Sequence, residues 1–236
     1  DTLRQRFPGI PLARIDRDST RRKGELERLL AAARRGEYPL LLGTQMLAKG
    51  HHLPGITLVG IMDLDHGLYG SDFRAAERMA QLLVQVAGRA GRAERAGVVL
   101  VQTRHPSHPL LVRLLRDGYG AFAEAALAER AEAGLPPFSH QAQLRADSPR
   151  EQAAMELLHA VRAAAEALRA ADVELWGPAP SGMERRAGRY RAQLLLQAPS
   201  RGALQTLLRA LLPRLRALRP PRHLRWSIDV DPQESL

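Results

Sequence analysis

Four short apolar runs, separated by stretches of helical period, constrain the first hundred or so residues more than any other feature. They are Leu12-Ala13-Arg14-Ile15, Leu40-Leu41-Leu42-Gly43, Ile56 to Met62 and Val98 to Gln102. Asp1 to Phe7 reads as the end of a helix. Ser19 or Thr20 can cap a helix running through about Arg35, since an N-cap hydroxyl satisfies an otherwise unpaired amide. Leu26, Leu29, Leu30 and Ala33 share one face of that helix, and Gly36 stops it. A second helix, from about Asp72 to Ala87, turns Ala76, Met79, Ala80, Leu83 and Val86 inward. Strands alternating with helices predict a parallel α/β sheet with helices on its faces over residues 8–105. Sheets of this kind place their sites at the carboxyl ends of the strands, here the loops after Gly43 and after Met62.

The rest of the chain reads differently. Pro109 to Arg116 and Ala121 to Ala133 are helical connectors, and Pro136-Pro137 marks a domain boundary. Beyond it come a strand (Ala142 to Ala146), a long helix (Arg150 to Ala170) and a strand (Val173 to Trp176). Then follow a Pro/Gly/Arg loop (Gly177 to Gly188), a strand (Arg191 to Gln197), a helix (Ser200 to Leu218) and a last strand (Leu224 to Val230). The order β-α-β-β-α-β is the split βαβ pattern of ferredoxin-like folds. The expected organisation is an α/β lobe over residues 1–115, a helical linker over 116–137 and a smaller α+β domain over 138–236.

Composition excludes some classes and favours one partner. No run of eighteen apolar residues suggests a membrane span, and no secretory signal pattern opens the chain. Cysteine is absent, which excludes a disulfide framework and thiolate metal sites and fits a reducing cytoplasm. The net charge is +10, and only Lys23 and Lys49 among the 35 basic residues are lysines. An arginine-rich excess favours a polyanion, because neutralising phosphates releases counterions. A solvated basic surface is the plain alternative.

Two segments carry the candidate chemistry. In Gln85 to Arg92, QVAGRAGR, glycines 88 and 91 clear space for close backbone approach beside Arg89 and Arg92. Arginine suits a transferring phosphoryl group because its planar fork stays charged and donates several hydrogen bonds. The bland reading is a solvated Gly/Arg loop. In Gly43 to His52, GTQMLAKGHH, a buried strand opens into small, polar and basic residues suited to nucleotide and phosphate contacts. The next strand ends Asp63-Leu64-Asp65, and for those aspartates strand-end turn formation is an equal alternative. His105-Pro-Ser-His108 has metal-ligand residue types, but no third ligand is near in sequence. No Ser-His-Asp spacing stands out.

GTQMLAKGHHLPGITLVGIMDLD, DFRAAERMAQLLVQVAGRAGR and HPSHPLL stand in this order in the chain and resemble motifs V and VI of a superfamily 2 helicase. Among these the match is closest to the primosomal protein N′ (PriA) family of bacterial replication-restart helicases. RIDRDSTRRKG, LPPF and the terminal DVDP fit the same family. The resemblance implies two RecA-like lobes with ATP between them, of which this chain holds the second. Arg89 and Arg92 would reach the γ-phosphate held by the other lobe, with Gln85 and Gly88 helping to place them. Gln45 and Gly50 would couple nucleotide state to DNA, and Thr44, Lys49, His51 and His52 would contact its backbone. The family further implies ATP with magnesium, zinc held outside this chain, 3′-to-5′ unwinding at abandoned forks and a monomer. Implied partners are forked and single-stranded DNA, the acidic tail of single-stranded DNA-binding protein, and primosome proteins such as PriB and DnaT.

What the chain lacks bears on that reading. A phosphate loop needs a Gly-Lys pair, and both lysines here precede glycine instead. The zinc-binding cysteines and magnesium-binding acidic motif of the family are not in this sequence, so the chain is expected to be a fragment without ATPase activity of its own. In the C-terminal domain, MERRAGRYR ends in Arg189, Tyr190 and Arg191, a basic stretch with one aromatic for single-stranded nucleic acid, or simply a solvated loop. Arg201 and Gln205 lie one helical turn apart, with Arg209 continuing the stripe, opposite a core stripe of Leu204, Leu207, Leu208, Leu211 and Leu215. The family implies that Arg201 and Gln205 hold the acidic tail; an ordinary polar helix face is the alternative. Two rival readings stay open, another superfamily 2 helicase and a non-enzymatic nucleic-acid or protein adaptor.

Overall fold

A computed structural model of the chain describes residues 2–16, 19–44, 53, 55–69, 72–88, 97–170 and 172–233. They divide into two compact units, Asp1–Gly70 with Ala75–Ala123, and Ser71–Arg74 with Glu124–Leu236.

The first unit follows the predicted alternation. Its elements are α1 (Thr2–Arg6), β1 (Leu12–Ile15), α2 (Glu25–Arg34), β2 (Leu40–Gly43), β3 (Leu58–Ile61), α3 (Asp65–Leu68), α4 (Ala75–Ala87) and β4 (Val98–Val101). The long helix α5 (Pro109–Glu132) begins in it. β1 runs parallel to β2 with Ile15 opposite Gly43, and β3 runs parallel to β4 with Ile61 opposite Val101. Among the described residues these are two strand couples, not the single sheet expected. A short apolar run forecasts a strand but not its neighbour, and most of the chain joining β2 to β3 lies outside the described residues. Ala13 and Ile15 pack with Leu29, Leu30 and Leu53. Gly67 lets α3 meet α4 closely, since a Cβ there would sit 2.5 Å from the Met79 Cβ. In α5, Gly118 takes φ 85° and ψ −178° and breaks the helix between the two connectors predicted from sequence.

α2 starts later than expected. Ser19 and Thr20 do not cap it; they close a turn on Asp16. The Ser19 amide donates to Asp16 Oδ1 at 2.8 Å and the Asp16 amide to Ser19 Oγ at 2.9 Å. The Thr20 hydroxyl donates to the Asp16 carbonyl at 2.6 Å. This reciprocal pairing satisfies the groups that a helix start would otherwise use. Gly24, at φ 81°, then turns the chain into α2. The Ser19 amide and the Arg14 guanidinium hold the Asp16 carboxyl below its ordinary value.

The second unit runs β5 (His140–Ser148), α6 (Glu151–Glu166), β6 (Glu174–Arg186), β7 (Arg189–Ala198), α7 (Arg201–Ala217) and β8 (Arg225–Val230). Its strands form a four-stranded antiparallel sheet in the order β6-β7-β5-β8. Ala142, Leu144 and Ala146 of β5 and Ala192, Leu194 and Leu196 of β7 pack with Leu158 and Val161 of α6. The predicted stripe Leu204, Leu207, Leu208, Leu211 and Leu215 of α7 completes this core, and Ser200 caps that helix by accepting from the Ala203 amide. On alternate positions the sheet carries polar pairs. Gln141 donates to Gln197 at 2.6 Å and Gln143 to Gln193 at 2.8 Å, so these glutamines are satisfied despite the burial of Gln141 and Gln143.

The expected Gly177–Gly188 loop is instead most of a thirteen-residue strand. β6 lies at the sheet edge, and its ladder shifts register between Trp176 and Ala179 and again between Pro180 and Arg185. Edge position and bulges accommodate Pro178 and Pro180, which a central strand would not. Ala187 and Gly188, at φ 49° and 76°, make the tight turn into β7, as a two-residue hairpin with both residues left-handed requires.

Candidate functional site

The arginine segment is led in by α4. Met79, Ala80, Leu83 and Val86 are buried, which fixes the rotation of the helix and leaves Gln85 exposed beside Val84. The Gly88 amide donates to the Val84 carbonyl at 3.0 Å and closes the last turn, with Gly88 exposed as well. Residues three apart on a helix share a side, so Gln85 and Gly88 face solvent together. Arg89 and Arg92 lie outside the described residues.

Thr44 is exposed at the carboxyl end of β2. Gln45, Lys49, Gly50, His51 and His52 lie outside the described residues. Leu53 packs in the core with Ala13, Ile15, Leu29 and Leu30.

The carboxyl ends of β3 and β4 are stitched together by one carboxylate. Asp65 accepts from the Thr103 hydroxyl at 2.5 Å and from the Arg104 amide at 3.1 Å. Those bonds, with the Thr103 hydroxyl contributing most, hold its carboxyl below the ordinary value. The Leu64 amide donates to the Gln102 carbonyl at 3.1 Å, and Asp63 adopts φ 56°. The turn-forming reading of these aspartates matches this geometry. His105 and His108 pack against Tyr69, at 4.6 and 5.5 Å between ring centroids. Among the described residues no group of three or more histidines, cysteines, aspartates and glutamates could hold a metal ion.

In the second unit the predicted nucleic-acid residues open β7 rather than a loop. Arg189 is engaged: it donates to the Asp147 carboxylate, to the Asp147 carbonyl at 2.9 Å and to the His223 carbonyl at 2.7 Å. Its charge therefore serves to tie the hairpin to its neighbours. Tyr190 is half-buried, with the Arg185 guanidinium 5.1 Å from its ring centroid, and Arg191 is half-buried in the same strand. Arg201 is the first residue of α7, with 73% of its side chain exposed, and stands 3.7 Å from the Asp231 carboxylate. Gln205 is half-buried one turn further along the same face, and Arg209 beyond it is exposed.

Sequence reasoning missed one cluster. Asp72 to Arg74 precede α4 in sequence yet group with the C-terminal unit. Phe73 lies between two guanidinium groups, those of Arg74 and Arg130, each 5.0 Å from its ring centroid. Arg74 also donates to the Pro232 carbonyl at 2.6 Å. Asp72 is buried and accepts from the Arg74 amide at 2.9 Å. DFRAAER and DVDP are noticed as markers of the resemblance, but nothing local in either segment says that they meet.

Comparison with known proteins bears on both units. Residues 1–94 match the model of the helicase conserved C-terminal domain, and residues 131–233 match that of the primosomal protein N C-terminal domain. The first match implies a RecA-like α/β fold for that stretch. A replication restart protein PriA of Haemophilus influenzae is 46% identical over 234 residues, 99% of this chain and 32% of the relative. Proteins of the same name from Synechocystis and Bacillus subtilis are 40% and 35% identical over 98% of this chain and 27% and 29% of their own lengths. The chain thus spans about a third of the relatives that it matches, and it belongs to the PriA family of replication restart proteins.

Proposed function

We propose that this chain supplies the second motor lobe and the C-terminal domain of an ATP-dependent 3′-to-5′ DNA helicase. That helicase recognises stalled or abandoned replication forks and starts primosome assembly. The observation that carries the reading is the joint occurrence, in one chain, of a helicase lobe match and a primosomal protein C-terminal match. The C-terminal unit is read as ferredoxin-like, on its β-α-β-β-α-β order and antiparallel sheet.

In this reading Arg89 and Arg92 stabilise the charge that develops on a γ-phosphate held by the other lobe, and Gln85 and Gly88 set where they start from. The exposure of Gln85 and Gly88 at the end of a helix rotated by its buried face supports that placement. Gln45 and Gly50 couple nucleotide state to DNA, while Thr44, Lys49, His51 and His52 contact the DNA backbone. Tyr190 and Arg191 are the better DNA candidates on β7, because Arg189 is already engaged. Magnesium and zinc belong elsewhere in the motor: this chain has no Gly-Lys phosphate loop and no cysteine. The wider protein acts with single-stranded DNA-binding protein and with primosome proteins such as PriB and DnaT, in the cytoplasm. No helix among the described residues is long and apolar enough to cross a membrane.

Arg201 and Gln205 are read as the anchor for the acidic tail of single-stranded DNA-binding protein. Arg201 is exposed and its distance to Asp231 is long for an ion pair, so an incoming carboxylate can take its place beside the guanidinium. A peptide ending in that acidic tail should bind this chain. Arg201→Ala should weaken binding on the order of tenfold. Arg219→Ala, at an exposed arginine past the end of α7, should change it far less. Equal losses in the two variants, abolished together by high salt, would reduce the site to general basicity.

A further inference from the structure

The ring cluster at the carboxyl ends of β3 and β4 has no part in the roles assigned above. Tyr69 is a large aromatic with 60% of its surface exposed. It is held from two sides. His105 packs on it at an interplanar angle of 63° and His108 at 84°, both edge contacts. The histidines are themselves positioned: the His105 amide donates to the Thr103 hydroxyl oxygen at 3.0 Å, and the His108 amide to the His105 carbonyl at 3.1 Å. Thr103 in turn donates to Asp65, at the start of the short helix that leads into Tyr69. The Tyr69 amide donates to the Asp65 carbonyl at 2.9 Å. Both ends of the cluster are therefore tied to one residue, Asp65, through its carboxylate on the Thr103 side and its main-chain carbonyl on the Tyr69 side, and the exposed ring is held in place before any ligand arrives.

We propose that Tyr69, braced by His105 and His108, is a stacking platform for a base of single-stranded DNA. A fixed ring loses little freedom when a base lies on it, and every base offers a π face, so such a platform tolerates any sequence. The exposed Arg104 next to His105 supplies a cation for the adjoining phosphate, in a chain whose net charge is +10. The location is the edge at which parallel α/β sheets take their ligands. The inference rests on the reading of the chain as part of a DNA helicase.

The test separates base from backbone. Binding of the 236-residue chain to a fluorescent twelve-nucleotide oligothymidylate is compared with binding to an abasic strand of equal length and charge. Tyr69→Ala should weaken binding to the thymidylate strand about fivefold to tenfold and leave the abasic strand unchanged. Tyr69→Phe should match the parent on both strands. The abasic strand also serves as the control for folding. Losses of equal size on the two strands, no loss on either, or a phenylalanine variant as weak as alanine would each overturn the platform. Displacement of the oligonucleotide by equimolar thymidine monophosphate would also overturn it, by placing a free nucleotide there. If the parent binds neither strand, the DNA-binding reading of the chain falls with it; if the parent binds and Tyr69→Ala makes no difference, only the platform falls.

Discussion

Arg92→Ala, made in a protein that carries both motor lobes, should lower the turnover number for ATP hydrolysis by about a thousandfold or more. The loss belongs in turnover and not in nucleotide affinity, because in the proposed role the arginine meets charge that develops only as the phosphoryl group transfers. Arg92→Lys should restore little: lysine keeps the charge but lacks the planar fork that spans two oxygens. Arg89→Ala should be comparably severe. The double variant should be hardly worse than the poorer single one, since residues acting as a unit are not additive. Steady-state ATPase assays with saturating single-stranded DNA read all four. A change confined to KM, with turnover intact, would remove both arginines from the transition state. The segment is carried on α4, whose rotation is set by Met79, Ala80, Leu83 and Val86.

Leu211→Ala should destabilise the C-terminal unit by about 3 kcal/mol. Leu211 is fully buried, in the middle of α7, in the core formed with Leu144, Leu194 and Val161. Alanine is a good helix former, so the cost is lost packing and the cavity left behind, not helix propensity. Against a typical domain stability of about 5–15 kcal/mol this is a large share, equivalent to a fall of about 10 °C in Tm. Leu218→Ala, past the end of the same helix and 41% exposed, should shift stability by less than about 0.5 kcal/mol. Thermal and urea unfolding followed by circular dichroism would measure both. Equal effects would mean that the leucine stripe of α7 is not the centre of this core.

Periodicity made some of this fold readable in advance, and the reason is local. The inward faces of α4 and α7 are written in spacings of three and four, and the buried residues fall on them. The β-α-β-β-α-β order follows from the same alternation of periods. Local pattern fails where a distant partner decides the outcome. Pro178 and Pro180 look like loop residues, yet β6 takes them because it has a neighbour on one side only. Ser19 and Thr20 look like helix caps, yet Asp16 takes both first.

The candidate site divides in the same way. Gln85, Gly88 and Thr44 stand exposed, each at the end of an element that periodicity defines. Arg189 looks like a free cation in sequence and is in fact held by Asp147 and His223, one of them 42 residues away. The bond between Arg74 and Pro232 spans 158 residues, and no window read along the chain reveals it. Tyr69, likewise, is unremarked in sequence. It becomes a candidate only when the carboxyl ends of β3 and β4 bring His105 and His108 to it.

In the proposed reading this chain holds half of a split ATPase site. Its most direct test is ATP hydrolysis by the purified 236-residue chain in the presence of single-stranded DNA. If Arg89 and Arg92 act on a γ-phosphate as proposed, while the chain has no Gly-Lys loop to hold one, it should release no phosphate above the buffer control. Sustained, DNA-stimulated turnover by the pure chain, unaffected by Arg92→Ala, would mean that the site is not split and that Arg92 is no part of it.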